Sequence, residues 1–438
     1  MVEESWIGRG CVRVSVQFNV ELPVMGDLKC APEVCHDAQR QPLSAMHLIP
    51  YIGRDALSLG PVAARLTSYQ KMSGWDAQLW CVDTMDGVVW AESSCGLQRR
   101  RVRLFRRLGP KRLAFTPHME RTARSSDGRL ISVLHQHGVW TALSRVTIEW
   151  RKAHKRPTVI TAHGALAGRA LAQSKLNKKL ALIAYEGENL RRADCLHSLS
   201  AEEHANFREF GLLNPVAVIP NGIDEAWLDM AVDPDAFRRS VALAPETRIA
   251  LYLGRITPIK GLPQLLFAMS ELRKQLDPWC LVIAGVEEAR HESELKEMVK
   301  RLGLSRWVRF SGPLFGRDKR NAYAAAELYV LPSHSEGSPI TVLEALGAGV
   351  PVLTTKASPW RELTTHGCGW WTEAAVDGIG GALDGILRVP AVELAEMGRR
   401  GRSLIRAKYT WSTIAKQTCE MYDWLLGRLP QPEFVHLA

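Results

Sequence analysis

From Ala45 onward, short apolar runs alternate with stretches whose apolar residues recur at helical spacing. Residues 46–51 read as a strand and 59–72 as the helix after it. Residues 78–82, 130–135, 158–162, 195–199 and 216–219 read as further strands, and Leu176, Leu180 and Ile183 recur at helical spacing. Ser200 with Glu203 three residues on predicts a capping box that opens another helix. The series closes at Pro220-Asn221-Gly222 and then restarts with strand-length apolar runs at 249–253, 280–284, 308–311, 328–331 and 350–354, separated by helical stretches such as 262–276 and 292–302. Runs apolar on both faces, alternating with helices, specify doubly wound parallel sheets. The α/β chain is therefore expected to hold two such domains, at 45–228 and 229–410. They would face a central cleft at the carboxyl ends of their strands, where ligands bind in these architectures. Residues 1–44 do not join the pattern and are expected to form a poorly ordered N-terminal extension.

Composition narrows the class. A chain of 438 residues exceeds one ordinary domain, and 46% apolar with 23% charged residues is a globular mixture. No apolar run reaches spanning length, the first ten residues lack the features of a signal peptide, and the nine cysteines form no CxxC pair. A cytoplasmic protein with reduced thiols is expected.

The net charge of +10 is unevenly placed. Arg99, Arg100, Arg101, Arg103, Arg106, Arg107, Lys111, Arg112, Arg121 and Arg124 crowd one stretch. Arg151, Lys152, Lys155, Arg156, Lys175, Lys178 and Lys179 form another. Such stretches are either plainly solvated or attract phosphate-bearing partners, among them anionic lipid. They hold few aromatics for base stacking, so nucleic acid is not the expected partner.

Two motifs carry chemistry. Ser335-Glu336-Gly337-Ser338-Pro339-Ile340-Thr341-Val342-Leu343-Glu344 follows one predicted strand and precedes another. Ser338 suits an N-cap and Pro339 the first helical position, and the free amides of the helix start would favour an anionic diphosphate. Gly254-Arg255-Ile256-Thr257-Pro258-Ile259-Lys260-Gly261 is a glycine-flanked turn at a strand's carboxyl end, able to bring two cations to one point. A helix terminus supplies only ~0.3–1 kcal/mol to a departing diphosphate. Charge-assisted bonds from Arg255 and Lys260 would add roughly 1.5–3 kcal/mol each.

Together, Gly254-Arg255 with Lys260 and Glu336-x7-Glu344 resemble the donor site of glycosyltransferase family 4. Asn221-Gly222-Ile223-Asp224, His163-Gly164 and His137-Gly138-Val139-Trp140 extend the likeness. Pro359-Trp360-Arg361-Glu362-Leu363 with Gly367-Cys368-Gly369-Trp370-Trp371 resembles a branch of that family found in bacterial surface-polysaccharide assembly.

The resemblance implies the GT-B fold, two Rossmann-like domains with a last helix at about 411–426 packing back on the first. It implies a retaining, metal-independent hexosyltransferase with a UDP- or GDP-sugar donor and a lipid-linked or saccharide acceptor, and no cofactor. Arg255 and Lys260 would hold the diphosphate, Glu336 the sugar and Glu344 the ribose. The amides of residues 337–340 (Gly337, Ser338, Pro339, Ile340) would face sugar and phosphate, and His163 would lie near sugar and acceptor. Gly312 and Leu314 would line the base pocket. Gly60, His137, Gly138, His163 and Gly164 would form the acceptor side, although Ser58-Leu59-Gly60-Pro61 departs from the family's Gly-Gly loop. Residues 83–129 read as an arginine-rich insert with little strand character.

Other signals weigh less. Asp233-Pro234-Asp235 spells a metal-binding string but sits where a helix cap is expected. His135 with His137, and Cys30 with Cys35 and His36, lack further ligands at useful spacing for zinc. Rival readings are a nucleotide-sugar epimerase of the same fold and an inactive donor-binding or membrane-docking protein.

Overall fold

The computed structural model describes residues 43–53, 59–82, 85–229, 231–288 and 290–438. The expectation for 1–44 falls outside this range apart from Leu43 and Ser44, and Ser44 already opens the first strand. Among the described residues, one sheet is built from β1 (Ser44–Ile49), β2 (Asp76–Cys81), β3 (Val102–Leu104), β4 (Val133–His137), β5 (Thr158–Thr161), β6 (Cys195–Ser198) and β7 (Val216–Val218). A second holds β8 (Arg248–Leu253), β9 (Trp279–Ala284), β10 (Val308–Gly312), β11 (Leu328–Leu331), β12 (Val352–Thr355) and β13 (Gly369–Thr372). A last strand, β14 (Val435–His436), returns to pair antiparallel with β7, whereas the other pairings are parallel.

The strand orders are β14-β7-β6-β5-β4-β1-β2-β3 and β10-β9-β8-β11-β12-β13. Each order reverses beside its first strand, between β1 and β4 and between β8 and β11. Chain segments leaving these strands turn to opposite sides and open a crevice at the carboxyl ends.

The chain passes between the halves twice, and the two passages run side by side. Ile223 N–H donates to Tyr409 O at 2.8 Å, and Trp411 N–H donates to Ile223 O at 3.0 Å. The final long helix, Trp411–Leu425, then buries Trp411, Ile414, Met421 and Tyr422 against Ala45, Trp75, Val133 and Ala217 of the first half. Each such side chain contributes about 1.5–3 kcal/mol by leaving water. Gly222 is required at the outgoing passage, because a Cβ there would lie 2.8 Å from the Trp411 ring. Arg65 of the Leu59–Gln70 helix ties the same passage down through Asp224 at 2.6 Å.

Several expectations need correction. β4 was expected at 130–135 but spans Val133–His137, and its carboxyl-terminal part, His135-Gln136-His137, is fully polar yet buried. A search for apolar runs stops short of such a strand. Residues 83–129 hold little strand, as expected, but they are built into the first domain rather than set apart from it. They supply the Met85–Cys95 helix, edge strand β3 and the Pro117–Arg124 helix. The arginines hide the strand because they sit on apolar rings: the Arg103 guanidinium lies 5.2 Å over the Trp80 ring and 5.4 Å over Phe105. Leu176, Leu180 and Ile183 sit on helical turns as their spacing suggests, and they point to solvent, 72%, 58% and 77% exposed.

Candidate active site

The two donor motifs emerge at the switch point of the second sheet, after β8 and after β11. Lys260 Nζ lies 2.5 Å from Glu336 Oε1, with both side chains largely buried. Ser333 Oγ also donates to Glu336 Oε1, at 2.6 Å, so Oε2 is left without a partner among the described residues. The loops are stitched together by the backbone, His334 N–H to Ile259 O at 2.8 Å. Gly261 permits the approach: its φ is +68°, and a Cβ would sit 2.0 Å from Pro332 O.

Arg255 belongs to the same patch but pairs with Glu288 at 2.6 Å, half exposed. Tyr252, buried beneath the turn, donates its hydroxyl to Arg255 O at 2.6 Å. Gly312, at the end of β10, joins this edge by accepting from Gly285 N–H at 3.0 Å, and Leu314 packs partly buried beyond it.

The helix after Ser338 starts later than its sequence suggests. It spans Ile340–Gly347, and Pro339 itself occupies the N-cap with ψ 108°, so Ser338 is not the cap. A proline's fixed φ suits either position. Ile340, the first helical residue, packs against the buried cluster of the N-terminal half, and that contact draws the motif across to the other sheet. Pro339 has no N–H, so Gly337, Ser338 and Ile340 carry the amides of residues 337–340. Glu344 lies in the second turn, bonded to Lys319 Nζ at 2.6 Å and to Tyr323 OH at 3.1 Å. Lys319 and Tyr323 belong to no recognisable motif, yet they hold Glu344 in place.

At the first sheet's switch point, Gly60 lies buried in the opening turn of the Leu59–Gln70 helix. That helix touches the turn after β4, where a Cβ on Gly138 would meet Leu59 at 2.8 Å. His137 ends β4 rather than following it, and is buried. Trp140 (φ +68°), His163 (φ +52°) and Gly164 (φ +78°) take left-handed backbone conformations, costly for the first two. Buried carboxylates hold both turns. Glu186 Oε2 accepts from Trp140 N–H at 2.7 Å, and Glu203 Oε1 accepts from Gly164 N–H at 2.6 Å. Burial pushes both carboxyl groups above their ordinary range. Glu203 thus makes only half the expected capping box. Its amide bonds Ser200 Oγ at 3.2 Å, but its carboxylate serves Leu199 N and Gly164 N instead.

Beneath these turns lie His47, His135, His137, His163 and His197, contributed by β1, β4, β6 and the turn after β5. The expectation that His135 and His137 lack a third histidine is corrected, because β1 brings His47 beside them. The trio nevertheless spends its ring nitrogens on hydrogen bonds. His47 Nδ1 lies 2.9 Å from His137 Nε2, closer than two ligands on one tetrahedral zinc, and His135 is bonded to Tyr422 and Thr161. Burial lowers every one of these rings, to about 4 for His47 and His197 and about 3 for His163, so all are neutral. His47 and His197 stand as polar residues inside otherwise buried strands, the signal that would have flagged them.

Asp233 accepts from Ala236 N–H at 3.0 Å and caps the Pro234–Ser240 helix. The motif around Glu362 is a packing unit, in which Glu362 binds Lys408 at 2.8 Å and Tyr409 beside the return passage.

Two parallel sheets with a charged pair of turns at the switch point of the second place the chain among doubly wound ligand-binding folds, and the comparisons with known proteins give its class. The family pattern "Glycosyl transferases group 1" matches residues 233–403, and "Glycosyl transferase 4-like domain" matches residues 59–222. Glycogen synthase of Mycobacterium tuberculosis is 30% identical over 297 residues, covering 66% of this chain and 68% of that one. The uncharacterised glycosyltransferase MJ1607 of Methanocaldococcus jannaschii is 29% identical over 218 residues, 47% of this chain, which spans only 53% of that relative's length. Anabaena HepE, solved with UDP and glucose, superposes with a TM-score of 0.69 at 18% identity, over 88% of this chain and all of that one. The chain belongs to the group 1 glycosyltransferases, family 4, with the GT-B fold. It is a glycosyltransferase, in a family that draws on nucleotide-sugar donors and retains anomeric configuration.

Proposed function

We propose that this enzyme transfers a hexose from a UDP- or GDP-sugar to a hydroxyl of a lipid-linked or saccharide acceptor, in the assembly of a cell-surface polysaccharide, without a required metal. The Lys260–Glu336 contact at the β8/β11 switch point carries the reading. The incoming diphosphate competes with Glu336 for Lys260 and takes Arg255 from Glu288. Glu336 Oε2 is then available to a sugar hydroxyl, and Glu344, held by Lys319 and Tyr323, to the ribose. Gly312 and Leu314 line the base. Gly60, His137, Gly138, His163 and Gly164 line the acceptor side.

In a same-face displacement the sugar's anomeric C–O bond to the diphosphate breaks and a C–O bond to the acceptor forms. The acceptor's proton passes to the departing phosphate oxygen, whose charge Arg255, Lys260 and the amides around Ser338 stabilise. The test is hydrolysis of a panel of UDP-, GDP- and ADP-sugars, with Lys260→Ala and Glu336→Ala as controls. Turnover of no donor, or of donors unaffected by both substitutions, defeats the reading. Epimerisation of donor with no acceptor present would favour the epimerase alternative.

A lipid-linked acceptor is supported by one surface. The Lys175–Ala181 helix and the turn after it expose Leu176, Leu180 and Ile183 beside Lys175, Lys178 and Lys179. A hollow of about 390 Å³ next to them is lined by Trp140, Leu171 and Phe210. Apolar side chains rimmed by lysines suit the headgroup region of an anionic bilayer, so the enzyme would work peripherally on a cytoplasmic membrane face. No helix among the described residues is long and apolar enough to cross a membrane.

A further inference from the structure

The buried histidines form one line of hydrogen bonds whose sense can be worked out from its far end. His197 Nε2 lies 2.8 Å from Ile219 O, a backbone carbonyl that can only accept, so the ring proton is on Nε2. His197 Nδ1 is then bare and takes the hydroxyl proton of Thr161 at 3.0 Å. With its proton committed, Thr161 Oγ1 can only accept from His135 Nε2 at 2.7 Å, which leaves His135 Nδ1 bare. That nitrogen takes the Tyr422 hydroxyl proton at 2.6 Å.

The phenolic oxygen now offers only lone pairs to the Gln70 carboxamide. Gln70 turns its NH2 toward Tyr422, without closing a bond of normal geometry, and its Oε1 toward His47 Nε2 at 2.7 Å. From there each step repeats. His47 Nε2 donates to Gln70, His137 Nε2 donates to His47 Nδ1 at 2.9 Å, and His163 Nε2 donates to His137 Nδ1 at 3.2 Å. The line ends on His163 Nδ1, closed off from solvent and without a hydrogen-bond partner among the described residues.

We propose that Gln70, His47 and His137 are positioning residues that fix His163 as the Nε2–H tautomer, so that its Nδ1 is a hydrogen-bond acceptor reserved for a hydroxyl of the bound reactants. The ring is thereby not a proton donor at that atom. Depressed basicity along the line keeps every ring neutral, as the alternation requires. An acceptor buried without a partner is a cost the fold carries until a donor group arrives. The proton placement stands on the hydrogen-bond geometry of neutral rings, whereas its use on a hydroxyl rests on the glycosyltransferase reading above.

The experiment is ¹⁵N NMR of the full-length, histidine-labelled protein at neutral pH without ligand, with His163→Asn assigning the His163 signals. The expected spectrum shows His163 with a protonated Nε2 and a bare Nδ1. His47→Leu removes the acceptor for His137 and should give mixed His163 tautomers. It should lower kcat about tenfold, the worth of one hydrogen bond, with the donor KM unchanged. His47→Asn, whose side-chain oxygen can replace Nδ1, should restore both. An imidazolium, a protonated Nδ1, or a His163 tautomer unmoved in His47→Leu overturns the proposal. So does a shift of the His47, His135 or His137 signals on adding Zn²⁺, since a metal would need the lone pairs the line consumes. The wild-type spectrum decides the proton placement even if the leucine variant does not fold. Correct tautomers with no loss of turnover in His47→Leu overturn the hydroxyl role alone.

Discussion

The two halves share one strand order but place opposite chemistry at their switch points. In the C-terminal half the groups are charged and paired: Lys260 with Glu336, Lys319 with Glu344, Arg255 with Glu288. In the N-terminal half they are neutral imidazoles, sealed beneath two turns that buried carboxylates hold. Charged pairs can exchange partners when an anionic ligand arrives. A line of neutral rings cannot do so without reversing every bond in it. One half is therefore suited to receiving charge, and the other to presenting fixed, uncharged hydrogen-bonding groups.

The largest effect that could break this contrast is the response of stability to pH. The histidine pKa values are lowered in the fold, so the unfolded chain binds more protons as pH falls below about 6.5. Stability is then full above that pH and lost toward pH 4. His47 or His197 alone accounts for about 3 kcal/mol, its ring held down at about 4 by burial. Glu186 and Glu203, with raised values, act in the opposite direction, but five rings outweigh two carboxylates. Urea unfolding at pH 7, 6, 5 and 4 measures this, and a flat profile would mean that the rings are not buried neutral.

Next in size is the donor half. Lys260→Ala should lower kcat/KM for donor turnover by about 10²–10³, the loss of one preorganised stabilising group. A drop below tenfold in steady-state kinetics would remove the C-terminal half's claim to the charge chemistry. A smaller effect separates the turns from the rings: Glu203→Ala should cost about 1–3 kcal/mol in urea titrations, because it strands buried N–H groups at Leu199 and Gly164. The smallest is at the surface, where Leu176, Leu180 and Ile183 together changed to Ser should alter stability by no more than about 0.5 kcal/mol each. The same triple change should abolish sedimentation with anionic vesicles; binding that persists would refute membrane docking there.

The same contrast explains what the sequence disclosed. The donor side is local: Gly254 to Gly261 and Ser335 to Glu344 are short continuous segments, each following an apolar strand, so residue type and spacing reveal them. Lys319 and Tyr323 come from the Gly316–Ala325 helix and escape notice because only tertiary packing brings them to Glu344. The histidine line draws one or two residues from each of several distant elements. His135-Gln136-His137 even disguised β4, since a strand is sought by its apolar run. Leu176, Leu180 and Ile183 were legible as helical, but spacing alone does not say whether such a face meets the core or solvent.

The last helix has a consequence for how the molecule is made. A ribosome delivers β1 long before Tyr422, yet Trp411, Ile414, Met421 and Tyr422 complete the cluster against β1 and β4. The N-terminal half is thus synthesised early and finished late, with an apolar face waiting for its cover throughout translation. Since Tyr422 is also a link to His135, the protons of the acceptor side can take their final places only after that helix has been made and has docked.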